Sequence, residues 1–254
     1  MKALKDSALR IHIFDTRIEM GQAAADCCEK AINEMLKTKA EINMIFAAAP
    51  SQNEFLDALS AKAIDFSRIN AFHMDEYAGL SSNAKQCFAN YLKERIFGKV
   101  NFKSVNIINA EKDPEKACQD YAKLLVSHMP DIVCMGIGEN GHIAFNDPPV
   151  ADFNDKELVK LVELDPICRQ QQVNDKCFDK IEDVPKFAVT LTVPALMSAK
   201  KIICVVPGAT KAQAVKNTLF NEINEACPAT ILRTHKDADM FLDVLSAQYI
   251  IDKI

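Results

Sequence analysis

Residues 131–149 read DIVCMGIGENGHIAFNDPP, and this stretch decides the fold. Ile132, Val133, Cys134, Met135 and Gly136 suit a buried parallel strand, because a strand covered on both faces is continuously apolar. The chain then breaks into a turn punctuated by Gly136, Gly138 and Gly141. It has only 7 glycines, and three of them fall together here. Glycine permits positive φ and close backbone approach. His142, Asn146 and Asp147 follow the turn, and Pro148 and Pro149 close it. A strand ending this way sets polar side chains at the carboxyl edge of a sheet, where open α/β folds bind ligands. A tight turn with an incidental histidine is the competing reading.

Working outward, the same strand–loop–helix unit recurs. Residues 42–46 (INMIF) are apolar and run into a small-residue loop, Ala47-Ala48-Ala49-Pro50-Ser51-Gln52-Asn53. A helix follows, with Phe55, Leu56, Leu59 and Ile64 inward. Ser51 and Glu54 have the spacing of a capping box. Backbone N–H groups at such a loop can hold an anion; an ordinary helix cap is the alternative. Residues 201–206 (KIICVV) form another buried strand, leading through Pro207-Gly208-Ala209-Thr210-Lys211 into a helix with Ala214, Val215 and Leu219. Lys211 in a first helical turn opposes the helix dipole. An anion between the two would reconcile them, and a solvated surface lysine is the other reading.

The remaining segments fill in the alternation. Residues 10–14 and 68–73 read as strands, the latter ending near Asp75 and Glu76. Residues 16–38 carry helical spacing, with Ile18, Ala24, Cys28, Ala31 or Ile32, and Met35 on one face. A helix is expected over 83–97, a short strand over 105–108, and a helix from Pro114 to about Ser127 with Asp113 as its cap. The pattern weakens for about 35 residues after Pro149, with an edge strand at 158–164 and a glutamine run at Gln170, Gln171 and Gln172. Residues 187–193, 229–232 and 240–242 are β-like. Strands alternating with helices predict an α/β fold with a mostly parallel sheet covered on both faces. The loop at 47–53, Asp75, His142 with Asp147, and Lys211 all fall at strand ends, which a parallel sheet gathers on one edge.

Composition excludes several classes. The 254 residues fit one large α/β domain or two small ones, 49% are hydrophobic, and there is no internal repeat or flexible linker. A net charge of −5 and a pI near 5.6 argue against a nucleic-acid surface. No apolar segment approaches the roughly 18 residues that span a bilayer, and MKALKDSALR lacks the apolar core of a secretory signal. The 9 cysteines include no CxxC pair, which disfavours a metal site and reads as reduced thiols in the cytoplasm. Neither GxGxxG after the first strand nor GxSxG occurs. A histidine and two carboxylates, Asp75 and Asp147, suit proton transfer near neutral pH. The residues alone thus point to cofactor-independent acid–base chemistry on a small phosphorylated substrate.

The segments now reached resemble the glucosamine-6-phosphate deaminase (isomerase) family. Residues 74–80, MDEYAGL, look like its MDEYxGL segment, and residues 136–148, GIGENGHIAFNDP, like its GxGxxGHIAFNEP segment. Residues 184–191 (VPKFAVTL) and 208–212 (GATKA) extend the likeness over most of the chain. The resemblance implies a single Rossmann-like α/β/α domain over 1–254. It also implies conversion of glucosamine 6-phosphate and water to fructose 6-phosphate and ammonia, without a cofactor. By the same resemblance His142 opens the sugar ring at O5, and Asp75 moves a proton from C2 to C1. Asn140 and Asp147, the latter where the family has Glu, orient His142. Lys211 matches a phosphate-binding lysine.

The departures fall at the phosphate end. The family loop is of the type PTGGTP, whereas Ala48, Ala49, Ser51 and Gln52 are the contact candidates here, with Pro50 lacking an N–H. A family arginine aligns near Asn174, and Arg169 or Arg233 is the expected substitute. Galactosamine 6-phosphate is an alternative substrate for the same chemistry. A 6-phosphogluconolactonase reading is disfavoured, because that motif continues as GHTASLFP. A non-catalytic sugar-phosphate sensor is the rival of another class. The expected partner is a small amino-sugar phosphate, with no nucleic acid or membrane; the sequence leaves a homo-oligomer open.

Overall fold

The strand runs of the sequence assemble into one large twisted sheet with helices on both faces. The computed structural model describes residues 2–3 and 7–253. Residues 1 and 4–6, part of the N-terminal stretch considered above for a secretory signal, lie outside them. In chain order the elements are β1 (Lys2–Ala3), β2 (Leu9–Phe14), α1 (Arg17–Leu36), β3 (Ile42–Phe46), α2 (Asn53–Ser60), β4 (Ile69–His73) and β5 (Asp75–Tyr77). Then come α3 (Phe88–Leu92), β6 (Ser104–Asn106), α4 (Pro114–Ser127), β7 (Ile132–Met135), β8 (Val159–Glu163) and α5 (Pro166–Asn174). The chain continues with β9 (Phe187–Leu191), α6 (Val193–Met197), β10 (Lys201–Val206), α7 (Ala212–Phe220) and β11 (Ala238–Asp243).

The main sheet has eight strands in the order β1-β2-β11-β10-β7-β3-β4-β6. All its pairings are parallel except β1 with β2. The central strands β7 and β10 are buried along their whole length, as their unbroken apolar runs require. One apolar layer, under α1 and α2, includes Met20, Phe46 and Phe55; the other, under α4, includes Tyr121, Val133 and Ile202. A second sheet, β5-β9-β8, is antiparallel. No helix among the described residues is long and apolar enough to cross a membrane.

Local chemistry explains the element ends. Thr16 and Glu19 form a capping box at the start of α1. Asp113 accepts from the Lys116 N–H, with Pro114 at the head of α4. Several expectations are corrected. Ser51 does not cap α2, because Glu54 is engaged by Arg17 and the Ser51 hydroxyl accepts from Gln52. The helix expected from 83 begins at Phe88 and passes into a π-helical turn over Lys93–Phe97. Ile18 is 75% exposed, and the face of α1 is built from Met20, Ala24, Cys28 and Ile32. Residues 229–232 are not a strand: Pro228–Thr234 is 3-10 helical. The glutamine run lies on α5, headed by an Asp165 cap and Pro166.

Candidate active site

The carboxyl ends of β3, β7 and β10 open into a cavity of about 260 Å³. The turn after β7 forms one wall. Gly138 N–H donates to His142 O at 2.9 Å and Gly141 N–H to Gly138 O at 3.1 Å, so the chain reverses tightly before the histidine. Gly141 has φ +84°. A Cβ on Gly138 would lie 2.2–2.3 Å from the His142 imidazole, so the ring occupies space that only glycine leaves free. Ala144, two residues on, holds φ +48°, a left-handed conformation uncommon for alanine. The segment is pinned from outside by the Ala229 N–H to Gly141 O and by Asn146, whose amide donates to Ile143 O and Leu191 O.

Asp75 reaches the same cavity from the second sheet. In β5 it pairs opposite Thr190 of β9, and the Thr190 hydroxyl accepts from the Phe145 N–H at 3.1 Å. The antiparallel sheet thereby ties Asp75 to the histidine loop. Asp75 and His142 line the cavity at 6% and 8% exposure. Burial, with the neighbouring Glu76 adding, holds the Asp75 carboxyl well above the usual carboxylate range. Behind the ring, His142 Nδ1 lies 2.8 Å from Asp147 Oδ1, close but off the axis of the ring N–H. Asn140 braces the pair: its amide donates to Asp147 at 2.9 Å and its carbonyl accepts from the His142 N–H at 3.0 Å. Burial opposes ionisation of Asp147, but His142 and Asn140 outweigh it and hold its carboxyl below the usual range. Two carboxyl groups pushed in opposite directions around one histidine are a setting for acid–base work.

The other end of the cavity is polar. Ala48, Ala49, Ser51 and Gln52 line it, as does Lys211. The N–H groups of Ala48 and Ala49 make no hydrogen bond among the described residues, so the alanine loop still offers main-chain donors. The Gln52 amide nitrogen is committed to Val205 O and Ser51, each at 3.1 Å, which leaves its buried oxygen as an unpartnered acceptor. Gln52 is therefore suited to a ligand hydroxyl rather than to an anion. Burial lowers the Lys211 pKa, against the pull of Asp175 and Glu139. Arg169 and Arg233 are not brought to the cavity. Arg169 donates to Ile181 O and Val184 O, and Arg233 to Leu219 O and Asn221 O, so both fasten loops.

Sequence reasoning missed Gln171, Gln172 and Asp175, which α5 and the turn after it present to the cavity. Gln172 accepts from the Tyr77 hydroxyl at 2.8 Å, and Gln171 accepts from the Glu139 N–H at 2.9 Å. The Asp165-Pro166 pair, which repeats the Asp113-Pro114 signal, marks that helix. The metal-capable group among the described residues is His142, Asp147 and Cys168, with ligand atoms within 4.8 Å of one another. Burial, with Asp147 adding, pushes the Cys168 thiol well above its ordinary range.

Glu76 faces away from the cavity and accepts from the N–H groups of Tyr77, Phe88 and Ala89. Burial pushes it up from 4.5 to about 7, against those three donors. Its protonated form is favoured on folding, so its contribution of roughly 3 kcal/mol is complete below pH 4.5 and is lost as pH rises through about 7. Buried His73, lowered to about 4, acts in the opposite sense over nearly the same range. Comparing wild type with Glu76→Gln isolates the carboxyl. The stability advantage of wild type over the variant shrinks between pH 5 and pH 7.5 in thermal melts; a constant difference contradicts the assignment.

With this geometry in hand, the chain belongs to the family described as glucosamine-6-phosphate isomerases/6-phosphogluconolactonase, which matches residues 15–241. Among similar proteins, a glucosamine-6-phosphate deaminase of Bacillus cytotoxicus is 32% identical over 227 residues, covering 89% of this chain and 85% of the relative. One of Bacillus thuringiensis matches with the same identity and coverage. A solved monomeric glucosamine-6-phosphate deaminase superposes with a TM-score of 0.85 at 29% identity, covering 94% of this chain and 99% of that one. The 6-phosphogluconolactonase of Thermotoga maritima, at 19% identity and a TM-score of 0.77 over 92% of this chain and 99% of that one, shares the fold.

Proposed function

We propose that this chain, acting as one domain over 1–254, converts glucosamine 6-phosphate and water into fructose 6-phosphate and ammonia. The observation that carries the reading is that Asp75 and His142 face one cavity, with Asp147 and Asn140 held behind the histidine. His142 moves the proton at O5 that opens the ring, while Asp147 stabilises the positive charge the imidazole gains. Asp75 removes the proton at C2 to give an enolamine and returns one to C1, which leaves an imine at C2 that water hydrolyses to the ketose and ammonia. Lys211 and the free amides of Ala48 and Ala49 receive the phosphate. Relatives named for this activity support the substrate. The reading places the enzyme in the cytoplasm, where its unpaired cysteines stay reduced.

Product analysis tests it. Purified protein given glucosamine 6-phosphate releases ammonia and fructose 6-phosphate in equal amounts, and galactosamine 6-phosphate and 6-phosphogluconolactone are turned over far more slowly. Preference for either of those two contradicts the substrate assignment. His142→Gln slows the cyclic sugar about 100-fold or more, within the range for general acid–base groups. An open-chain analogue is slowed much less; equal slowing of both removes ring opening from the role of His142.

A further inference from the structure

We propose that Arg17, the first residue of α1, is a specificity-determining cation that binds the anionic end of the substrate beside Lys211. The proposal rests on the phosphorylated-sugar reading above. Among the described residues, Arg17 and Lys211 are the only arginine and lysine that line the cavity. The guanidinium lies against the alanine loop: its Nη2 donates to Pro50 O at 3.0 Å and to Glu54 Oε2 at 2.8 Å. Its Nε is buried and has no acceptor. Covered by protein, Nε does not itself meet a ligand, whereas Nη1 makes no hydrogen bond among the described residues and is the donor suited to a ligand oxygen.

Position argues the same way. A cation at the start of a 20-residue helix meets the positive end of the dipole. Lys211, before α7, has the same conflict, and a dianion between the two side chains relieves both. The side chain of Arg17 is 40% exposed, so a ligand entering the cavity can reach it. The loop chemistry supplies the need, since Pro50 offers no N–H and Arg169 and Arg233 are spent on carbonyls. A planar guanidinium offers two parallel donors to a phosphate, which a single ammonium does not. Glu54 is the competing anion: it holds Arg17 against the loop and shares it with a bound phosphate.

Binding of inorganic phosphate, followed by calorimetry, reads the site without turnover. Arg17→Ala weakens it about 10-fold or more, the loss expected for one charged hydrogen-bonding partner, and Arg17→Lys recovers part of it. Glu54→Gln tightens it, because the competing carboxylate is gone. With glucosamine 6-phosphate, Arg17→Ala raises KM by a similar factor and leaves kcat within about 3-fold. Equal phosphate affinity in Arg17→Ala and wild type overturns the proposal. So does Glu54→Gln weakening binding as much as Arg17→Ala, since Arg17 would then only fasten the loop. If no amino-sugar phosphate is turned over but phosphate binding still depends on Arg17, the functional reading fails and the anion site stands.

Discussion

Asp75→Asn lowers kcat by about 1,000-fold or more and leaves the melting temperature of the chain unchanged or raised. The two halves have separate causes. The carboxyl is buried, and burial with Glu76 beside it raises its pKa, so the folded chain resists placing a charge there. A neutral amide of the same shape removes that cost. No protein donor engages Asp75 among the described residues, so no hydrogen-bonded network is broken. In the proposed mechanism the variant lacks the group that accepts the C2 proton, and general acid–base groups contribute about 100- to 10,000-fold. Steady-state kinetics with circular dichroism melts check both halves. Activity within 10-fold of wild type contradicts the role given to Asp75; loss of folding contradicts the account of its burial.

Gly138→Ala is expected to cost nearly as much in activity although it touches no substrate. The added methyl would sit 2.2 Å from Cε1 and 2.3 Å from both nitrogens of His142. No side-chain rotation of alanine relieves such an overlap, so the imidazole or the 138–142 turn must move. A displacement of about 1 Å at a catalytic group costs on the order of 100-fold in rate. The melting temperature falls as well, because Gly138 N–H to His142 O and Gly141 N–H to Gly138 O hold the same turn. Wild-type kcat in this variant would show that the ring is not held where the glycine leaves room for it.

The parts of the fold written in apolar runs were legible in the sequence. In residues 42–46, 201–206 and the strand from Ile132, every side chain but that of Asn43 is buried, and burial on both faces leaves little polar alternation to misread. The convergence of the 47–53 loop, His142 and Lys211 followed from parallel strands sharing one edge. What could not be read depended on partners distant in sequence. Asp75 lies in an antiparallel strand, and only its pairing with Thr190 places it beside the histidine loop. Helix α5 was obscured because Gln171 and Gln172 are polar yet turned inward by Tyr77 and Glu139. Residues 229–232 carry β-like side chains, but Pro228 heads a 3-10 turn there. Arginines have many carbonyls to choose from, so nothing local distinguishes Arg169 and Arg233, which fasten loops, from Arg17, which reaches the cavity.

The central claim is that one buried carboxylate moves a proton between adjacent carbons of an amino sugar. The direct test is the fate of deuterium in glucosamine 6-phosphate labelled at C2, followed by NMR of the product. The account predicts that ammonia release removes deuterium from C2 and delivers part of it to C1 of fructose 6-phosphate, the remainder exchanging with solvent through Asp75. Ammonia released while deuterium stays on C2 would contradict it, because nitrogen would then have left without proton transfer between the two carbons.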